Sequence, residues 1–167
     1  AGVSKVLGHS YYKLGEYTKA IKAYENGLIA ANLKDDKLTV AYNLQAIGNI
    51  YKDQGEYQIA YDYYNRSLKI HTEINDKAGI ASNIGDFGIL NLEKKEYQLA
   101  LAKFDQSLKL FEEINHPNGT GSVLYYFGLV YMNMEDFPKA FQYFNSAQII
   151  AEEANYQDYL SNLYIKK

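Results

Sequence analysis

Apolar residues recur along this chain at steps of three and four, which is the spacing of one face of an α-helix. The run LTVAYNLQAIGNIYKDQ, residues 38–54, shows this spacing at Val40, Leu44 and Ile47. The run QIAYDYYNRSLKIHTEI, residues 58–74, shows it again after a short polar turn. The pattern therefore predicts two helices joined by a tight turn.

This helical pattern repeats every forty residues with no insertion. Four positions in the repeat keep one type of residue: a glycine, an alanine and two aromatic rings. They are Gly8, Gly48, Gly88 and Gly128; Ala20, Ala60, Ala100 and Ala140; Tyr17, Tyr57, Tyr97 and Phe137; and Tyr24, Tyr64, Phe104 and Phe144. Because an isolated helix pair leaves a whole side exposed, the repeats must stack on one another to fold.

The turns that end the helices need residues that accept a positive φ angle. We expect this conformation at Gly15, Gly55, Asn75, Lys95, Asn115 and Glu135. Asp76 is suited to cap the helix that follows it, and Pro117 suits the first turn of a later helix. The alanine column lets the two helices of a pair approach closely, and we expect the glycine column to supply the matching flat surface.

These columns resemble the tetratricopeptide repeat, whose consensus has small or aromatic residues at fixed places. The matching residues are Gly48, Tyr51, Ala60, Tyr64 and Ser67 in the second repeat, and Gly128, Tyr131, Ala140, Phe144 and Ala147 in the fourth. The usual repeat has about 34 residues, so the chain resembles a longer variant found in bacterial signalling proteins. The resemblance implies an all-α fold, a right-handed superhelical solenoid of antiparallel helix pairs. Asn91 stands where the family has an aromatic residue, which predicts a looser helix pair in the third repeat.

The period also predicts where each repeat begins and ends. We expect repeats at residues 1–36, 37–76, 77–116 and 117–156, the first with a shortened opening helix. Residues 157–167 align with the start of a fifth repeat, and we expect them to act as a C-terminal capping helix. Since the chain begins and ends inside predicted helices, we interpret it as a piece of a longer array.

Composition and charge argue against several functional classes. The chain has 17 Lys and Arg against 20 Asp and Glu, with no basic cluster, so nucleic-acid binding is not expected. No apolar run approaches the roughly 20 residues of a membrane span, and the first residues lack the layout of a signal peptide. We therefore expect a cytoplasmic protein, with an extracytoplasmic sensor region as the alternative. The chain has no Cys, which excludes disulfides and thiolate metal sites.

Asp86-Phe87-Gly88 matches the tripeptide that binds magnesium in protein kinases. A kinase also needs a glycine-rich loop, a Lys–Glu pair and a catalytic-loop Asp, and the sequence shows none of these. Gly88 belongs to the glycine column and Phe87 to an apolar column, so we attribute the match to the repeat. The glycine-containing run at residues 119–122 follows a predicted helix rather than a strand, which argues against a phosphate-binding loop.

The three histidines, His9, His71 and His116, lie in different repeats. We expect His71 at the edge of the core and His116 in a linker, which argues against a metal site. The carboxylates are scattered along the predicted helices, so no acid–base pair can be named. We predict no enzyme activity and no cofactor for this chain, and a catalytic domain would belong to another part of the full-length protein.

In tetratricopeptide repeats the first helices of the pairs line a concave groove, and the resemblance implies that the ligand contacts lie there. They are His9, Tyr12, Tyr42, Gln45, Asn49, Lys52, Asp86, Ile89, Tyr125, Tyr126, Leu129 and Met132. This set is polar in the first two repeats and more apolar in the last two. Asp86 would offer an acidic group to a Lys or Arg of the partner. The alternative is that Ile89, Leu129 and Met132 pack against neighbouring helices.

The resemblance implies a non-catalytic module that binds a protein or peptide segment within a larger, bacterial signalling or regulatory protein. The alternative is a scaffold that forms a homo-oligomer through the groove or through the open ends of the array. Lys5, Asn49 and Lys52 approach the Lys and Asn pattern with which some family members bind a C-terminal carboxylate. Val6 and Ala46 break that pattern, so we do not expect a carboxylate clamp.

Overall fold

The structure is a computed structural model that describes residues 2–153. Within these residues the chain forms eight α-helices and no β-strand, which confirms the all-α prediction. The helices are α1 (Gly2–Lys13), α2 (Tyr17–Asn32), α3 (Lys37–Asp53), α4 (Tyr57–Glu73), α5 (Lys77–Glu93), α6 (Tyr97–Glu113), α7 (Pro117–Asn133) and α8 (Phe137–Glu153). The predicted capping helix at residues 157–167 lies outside the described residues.

The chain divides between Gly79 and Ile80 into two compact bodies, here called the N-terminal body and the C-terminal body. In the N-terminal body α1 packs against α2, α2 against α3, and α3 against α4. In the C-terminal body α6 packs against α7 and α7 against α8. Each helix in these series therefore contacts its neighbour in sequence, as expected for stacked helix pairs.

The predicted left-handed turns are confirmed at all six positions. The φ angles are +73° at Gly15, +78° at Gly55, +55° at Asn75, +61° at Lys95, +50° at Asn115 and +63° at Glu135. No atom would lie within 4 Å of a Cβ at Gly15 or Gly55, so their role is conformational and not a matter of space. Asp35 also has a positive φ angle, +50°, in the turn that follows α2, and this position was not predicted.

Side chains cap several helices at their first turn. Asp76 Oδ1 accepts a 3.2 Å hydrogen bond from Gly79 N, and Pro117 is the first residue of α7, as predicted. Asp36 Oδ1 accepts a 3.0 Å bond from Thr39 N at the start of α3. His116 is more than a linker residue, because its Nδ1 accepts a 3.0 Å bond from Gly119 N and so caps α7.

The glycine column contacts an aromatic ring of the second helix, and not the alanine column as predicted. A methyl group at Gly48 would come within 2.6 Å of Tyr64 Cε1. The same contact joins Gly8 to Tyr24, Gly88 to Phe104 and Gly128 to Phe144. The reason is size: the first helix must lack a side chain where a whole ring crosses it. The alanine column is buried in every pair, as the close approach of the helices requires.

The pairing of α5 with α6 is close at Gly88, whereas a looser pairing at Asn91 stays a prediction. Phe104 is fully buried, and its ring lies as close to Gly88 as the Tyr64 ring lies to Gly48. Asn91 Nδ2 instead donates a 2.7 Å hydrogen bond to Glu96 Oε2 across the turn. A polar contact thus replaces the missing aromatic residue.

Candidate binding surface

The predicted contact residues lie on the first helices of the pairs: α1 and α3 in the N-terminal body, and α5 and α7 in the C-terminal body. In the N-terminal body Asp53 contacts two of these residues, Tyr12 and Lys52. The Tyr12 hydroxyl donates to Asp53 Oδ2, and Lys52 Nζ lies 3.0 Å from Asp53 Oδ1. The Asp53 carboxylate is thereby engaged at both oxygens, which neutralises the acidic charge at this end of α3.

Tyr42 and Lys5 form the second polar contact of this surface. Lys5 Nζ lies 5.3 Å from the centroid of the Tyr42 ring, a cation–π distance that ties α1 to α3. Tyr42 remains 36% exposed, and burial together with the nearby Asp76 carboxylate raises the pKa of its hydroxyl. His9 on α1 is also exposed.

Gln45 and Asn49 have mainly packing roles. Gln45 is buried, with only 8% of its surface exposed. Asn49 is half-buried and its Oδ1 accepts a 2.6 Å hydrogen bond from the Tyr64 hydroxyl of the second helix. The accessible polar groups of this surface are therefore those around Tyr42, His9 and Lys5.

In the C-terminal body α7 presents an apolar stripe formed by Tyr125, Leu129 and Met132. These residues are spaced by four and three, so they lie on one side of the helix. Met132 is 40% exposed, and Tyr125 and Leu129 are half-buried. The Tyr125 ring packs against two other rings. Its centroid lies 5.8 Å from that of Tyr126, in an edge-on arrangement, and 5.5 Å from that of Phe144, in a tilted one.

Other predicted contacts of the C-terminal body belong largely to its interior. Tyr126 stacks on Phe104 with ring centroids 5.5 Å apart, and Ile89 packs against the same core. For Ile89 the alternative of helix packing is thus supported. Asp86 is only 9% exposed, so its carboxylate is less available to a partner than the sequence suggested.

The motifs that resembled catalytic signatures are built into helices. Asp86, Phe87 and Gly88 lie inside α5, where Phe87 is buried and Gly88 contacts Phe104, as the repeat explanation predicted. Gly119 lies in the first turn of α7, directly against the Phe111 ring. Both glycines therefore make space for rings.

Residues 2–153 contain neither a cluster of metal ligands nor a membrane span. No group of three or more His, Asp or Glu there is arranged to hold a metal ion. None of the helices there combines the length and hydropathy needed to cross a bilayer. One cavity of about 440 Å³ opens in the C-terminal body, and it is lined by Glu112, Asn115, His116, Pro117, Thr120, Ile150 and Glu153.

The repeat geometry agrees with a comparison at the sequence level. A profile of the tetratricopeptide repeat matches residues 3–73 and 38–113, which together are more than half of the chain. The chain belongs to the tetratricopeptide repeat family. No curated protein sequence matches this tetratricopeptide chain.

Solved structures share the fold at low sequence identity. BtubC (BKLC) from P. vanneervenii is 22% identical, with a TM-score of 0.72 over 92% of this chain and 64% of that chain. Aspartyl phosphate phosphatase F from Bacillus subtilis is 13% identical, with a TM-score of 0.82 over 96% of this chain and 42% of that one. The Rap conjugation gene regulator of the plasmid pLS20, solved with the Phr* peptide, is 17% identical. Its TM-score is 0.82, over 95% of this chain and 43% of that one. The tetratricopeptide chain thus spans less than two thirds of the length of these proteins.

Some notable residues of the tetratricopeptide chain escaped the sequence analysis. His71 is fully buried rather than at the core edge, and its Nδ1 lies 2.8 Å from Asp76 Oδ2. Phe137 and Phe141 on α8 are 64% and 72% exposed. The repeat columns did carry a signal for His71, because its equivalents Ala31, Phe111 and Ala151 are all apolar.

Proposed function

We propose that this chain is a non-catalytic module that binds a protein or peptide segment on the first helices of its pairs. Family membership supports this assignment, because tetratricopeptide repeats generally bind other polypeptides. The similar pLS20 regulator was solved in complex with a peptide. We further propose that the chain belongs to a larger, bacterial signalling or regulatory protein that is cytoplasmic, in line with the greater length of its structural relatives.

The observation that carries the proposal is the stripe of Tyr125, Leu129 and Met132. Met132 is exposed and Tyr125 and Leu129 are half-buried, and accessible apolar and Met side chains on one side of a helix are typical of contact sites. The Tyr125 ring is already fixed by Tyr126 and Phe144. A ligand that packs against this ring would lose little side-chain entropy on the protein side, which favours affinity. The stripe suits a segment with apolar anchors, such as one face of an amphipathic helix.

A selection from a random peptide library displayed on phage tests the proposal. Enriched peptides are synthesised, and their binding to the 167-residue chain is measured by fluorescence polarisation. We expect the double variant Leu129→Ala/Met132→Ala to weaken binding at least tenfold while its thermal unfolding stays close to that of the parent. The matched control is Leu99→Ala on α6, an apolar residue that is 57% exposed but lies on a second helix. Peptides that bind both variants and parent equally, or a library that yields no enrichment, would contradict the proposed site.

Self-association is a second candidate function, favoured by Phe137 and Phe141. These rings are four residues apart on α8 and are mostly exposed, which is unusual for two neighbouring Phe side chains. Light scattering over a concentration series distinguishes the two functions. A molar mass that doubles with concentration and returns to the monomer value in Phe137→Ser/Phe141→Ser supports the scaffold. A constant monomer mass excludes it.

A further inference from the structure

A buried histidine joins the end of α4 to the start of α5 in the N-terminal body. The His71 ring has no exposed surface, and it lies directly over Gly79 in the first turn of α5. A methyl group at Gly79 would come within 2.1 Å of His71 Nδ1, so the ring occupies the space of the missing side chain. This contact makes His71 part of the junction between two successive helices.

The next repeat makes the same junction with a ring that cannot titrate. Phe111 ends α6 with 6% of its surface exposed, and a methyl group at Gly119 would come within 2.3 Å of its Cδ1. At both of these junctions an aromatic ring lies over a glycine, and at the second one the apolar ring of Phe111 satisfies the packing. The imidazole of His71 adds a proton-binding group that the packing by itself does not require.

Two titratable groups face His71 from the neighbouring elements, and a lysine contacts one of these two groups. From the start of α5, Asp76 Oδ2 lies 2.8 Å from His71 Nδ1, and Asp76 Oδ1 caps α5 through Gly79 N. From α3, the Tyr42 ring meets the His71 ring edge-on with centroids 5.1 Å apart. Lys5 of α1 lies over Tyr42, at 5.3 Å from its centroid.

Lys37 at the start of α3 and Glu73 at the end of α4 form a charged pair that is largely exposed. Lys37 Nζ and Glu73 Oε2 are 3.6 Å apart, and both side chains are about half exposed. Solvent screens such a pair strongly, so it has little influence on a buried ring. The proton affinity of His71 is therefore set by its burial and by Asp76.

We propose that His71, Asp76 and Tyr42 form a proton-sensitive latch, in which protonation of His71 loosens the junction between α4 and the first turn of α5. His71 Nδ1 faces Asp76 Oδ2 at 2.8 Å, whereas Nε2 has no hydrogen-bond partner among the described residues. Adding a proton places a second N–H and a positive charge in this buried position. Burying an N–H without a partner costs free energy, and so does burying a charge.

Burial lowers the pKa of His71, and the Asp76 carboxylate opposes this effect only in part. The folded state therefore binds a proton less readily than the unfolded state, whose His has a pKa of about 6.5. Stability is then unaffected by His71 above this pH and decreases as the pH falls below it. The decrease levels off once the pH is also below the pKa of His71 in the folded state.

Urea unfolding of the whole chain between pH 5 and pH 8 tests the latch. The key variant is His71→Phe, which copies the Phe111 junction of the next repeat. We expect the unfolding midpoint of the parent to fall more steeply than that of His71→Phe as the pH drops below about 6.5. Since His9 and His116 remain in both proteins, the difference between the two curves reports His71. Parallel curves over the whole range would overturn the proposal.

Two further measurements do not depend on the folding of that variant. Long-range ¹H–¹⁵N spectra of the parent give the titration of the His71 ring, and we expect its midpoint below the ordinary His value of about 6.5. Native-state hydrogen exchange gives the protection factor of the Gly79 amide, which we expect to decrease as His71 protonates, while that of Thr39 at the start of α3 stays constant. A His71 midpoint at or above about 6.5 would overturn the latch, as would unchanged protection of Gly79.

Discussion

Gly48 lies directly against the ring of Tyr64, at a distance that leaves no room for a methyl group. The Tyr64 ring is fully buried, and its hydroxyl is fixed by Asn49, so it cannot move aside. The same pair of positions is occupied by a glycine and a ring in every repeat. This contact sets how closely the two helices of a repeat approach each other.

Gly48→Ala is expected to destabilise the chain because the new Cβ would lie 2.6 Å from Tyr64 Cε1. Overpacking costs about 1–3 kcal/mol, and the better helix propensity of Ala returns about 1 kcal/mol, so we expect a net loss of up to about 2 kcal/mol. Urea unfolding measures this change. The comparison variant is Gly55→Ala, whose φ is positive but whose surroundings are empty. An increase in stability for Gly48→Ala would show that the helix pair can separate to admit a methyl group.

Ala60→Leu is expected to lower the free energy of unfolding by about 1–3 kcal/mol through overpacking. Ala60 has no exposed surface and lies where α4 crosses α3. Ala102→Leu serves as the control because Ala102 is exposed on α6. Thermal unfolding of both variants measures the difference. Equal melting temperatures would show that Ala60 does not lie at the close contact between α3 and α4.

Ser67→Ala is expected to cost about 1 kcal/mol, the typical net value of a buried hydrogen bond. Ser67 is fully buried and its Oγ donates a 2.9 Å bond to the Ala41 carbonyl of the preceding helix. Ser107 makes the equivalent bond to Ala81 at 2.7 Å, so Ser107→Ala should give a similar loss. Ser146→Ala, at an exposed position on α8, should leave the denaturant midpoint unchanged. If Ser67→Ala leaves the stability unchanged, the Ala41 carbonyl must accept a hydrogen bond from another donor in the variant.

Protonation of the Asp36 carboxylate is expected to lower the stability of the chain in acid. Hydrogen bonds from the Thr39 hydroxyl and backbone N–H hold the pKa of Asp36 below its usual value of 3.8. A carboxyl whose pKa is lowered on folding stabilises the protein above its unfolded pKa, and this contribution is lost as the pH falls through the folded value. Asp36→Asn keeps a capping oxygen without the charge. We therefore expect the variant to lose less stability than the parent between pH 4 and pH 2 in acid titrations followed by circular dichroism. Identical acid transitions would contradict the role of the Thr39 bonds.

The turns show how much of the fold could be predicted from short stretches of sequence. Asn75 and Asn115 end helices in the left-handed conformation as expected, and Lys95 and Glu135 do so in place of glycine. These predictions succeed because helix ends depend on residues close in the chain. Asp35 was overlooked although it lies forty residues before Asn75, at the same place of the repeat, and Asp also adopts the left-handed conformation.

The candidate surface was harder to predict. Met132 and His9 are exposed as the family pattern implies, but Gln45 and Asp86 are buried. A place in the consensus identifies the side of a helix, whereas exposure depends on the size of side chains that come from other helices. No repeat pattern contains that information.

By itself the sequence determined the helices, their turns and the forty-residue period, because these follow from local backbone preferences and from the spacing of apolar residues. Only the tertiary structure decided that Gly48 faces Tyr64, and that His71 is sealed between Tyr42, Asp76 and Gly79. Such contacts arise where helices from different parts of the chain fill one volume at close packing. The environment of each side chain, and hence the proton affinity of His71, is a property of that packing.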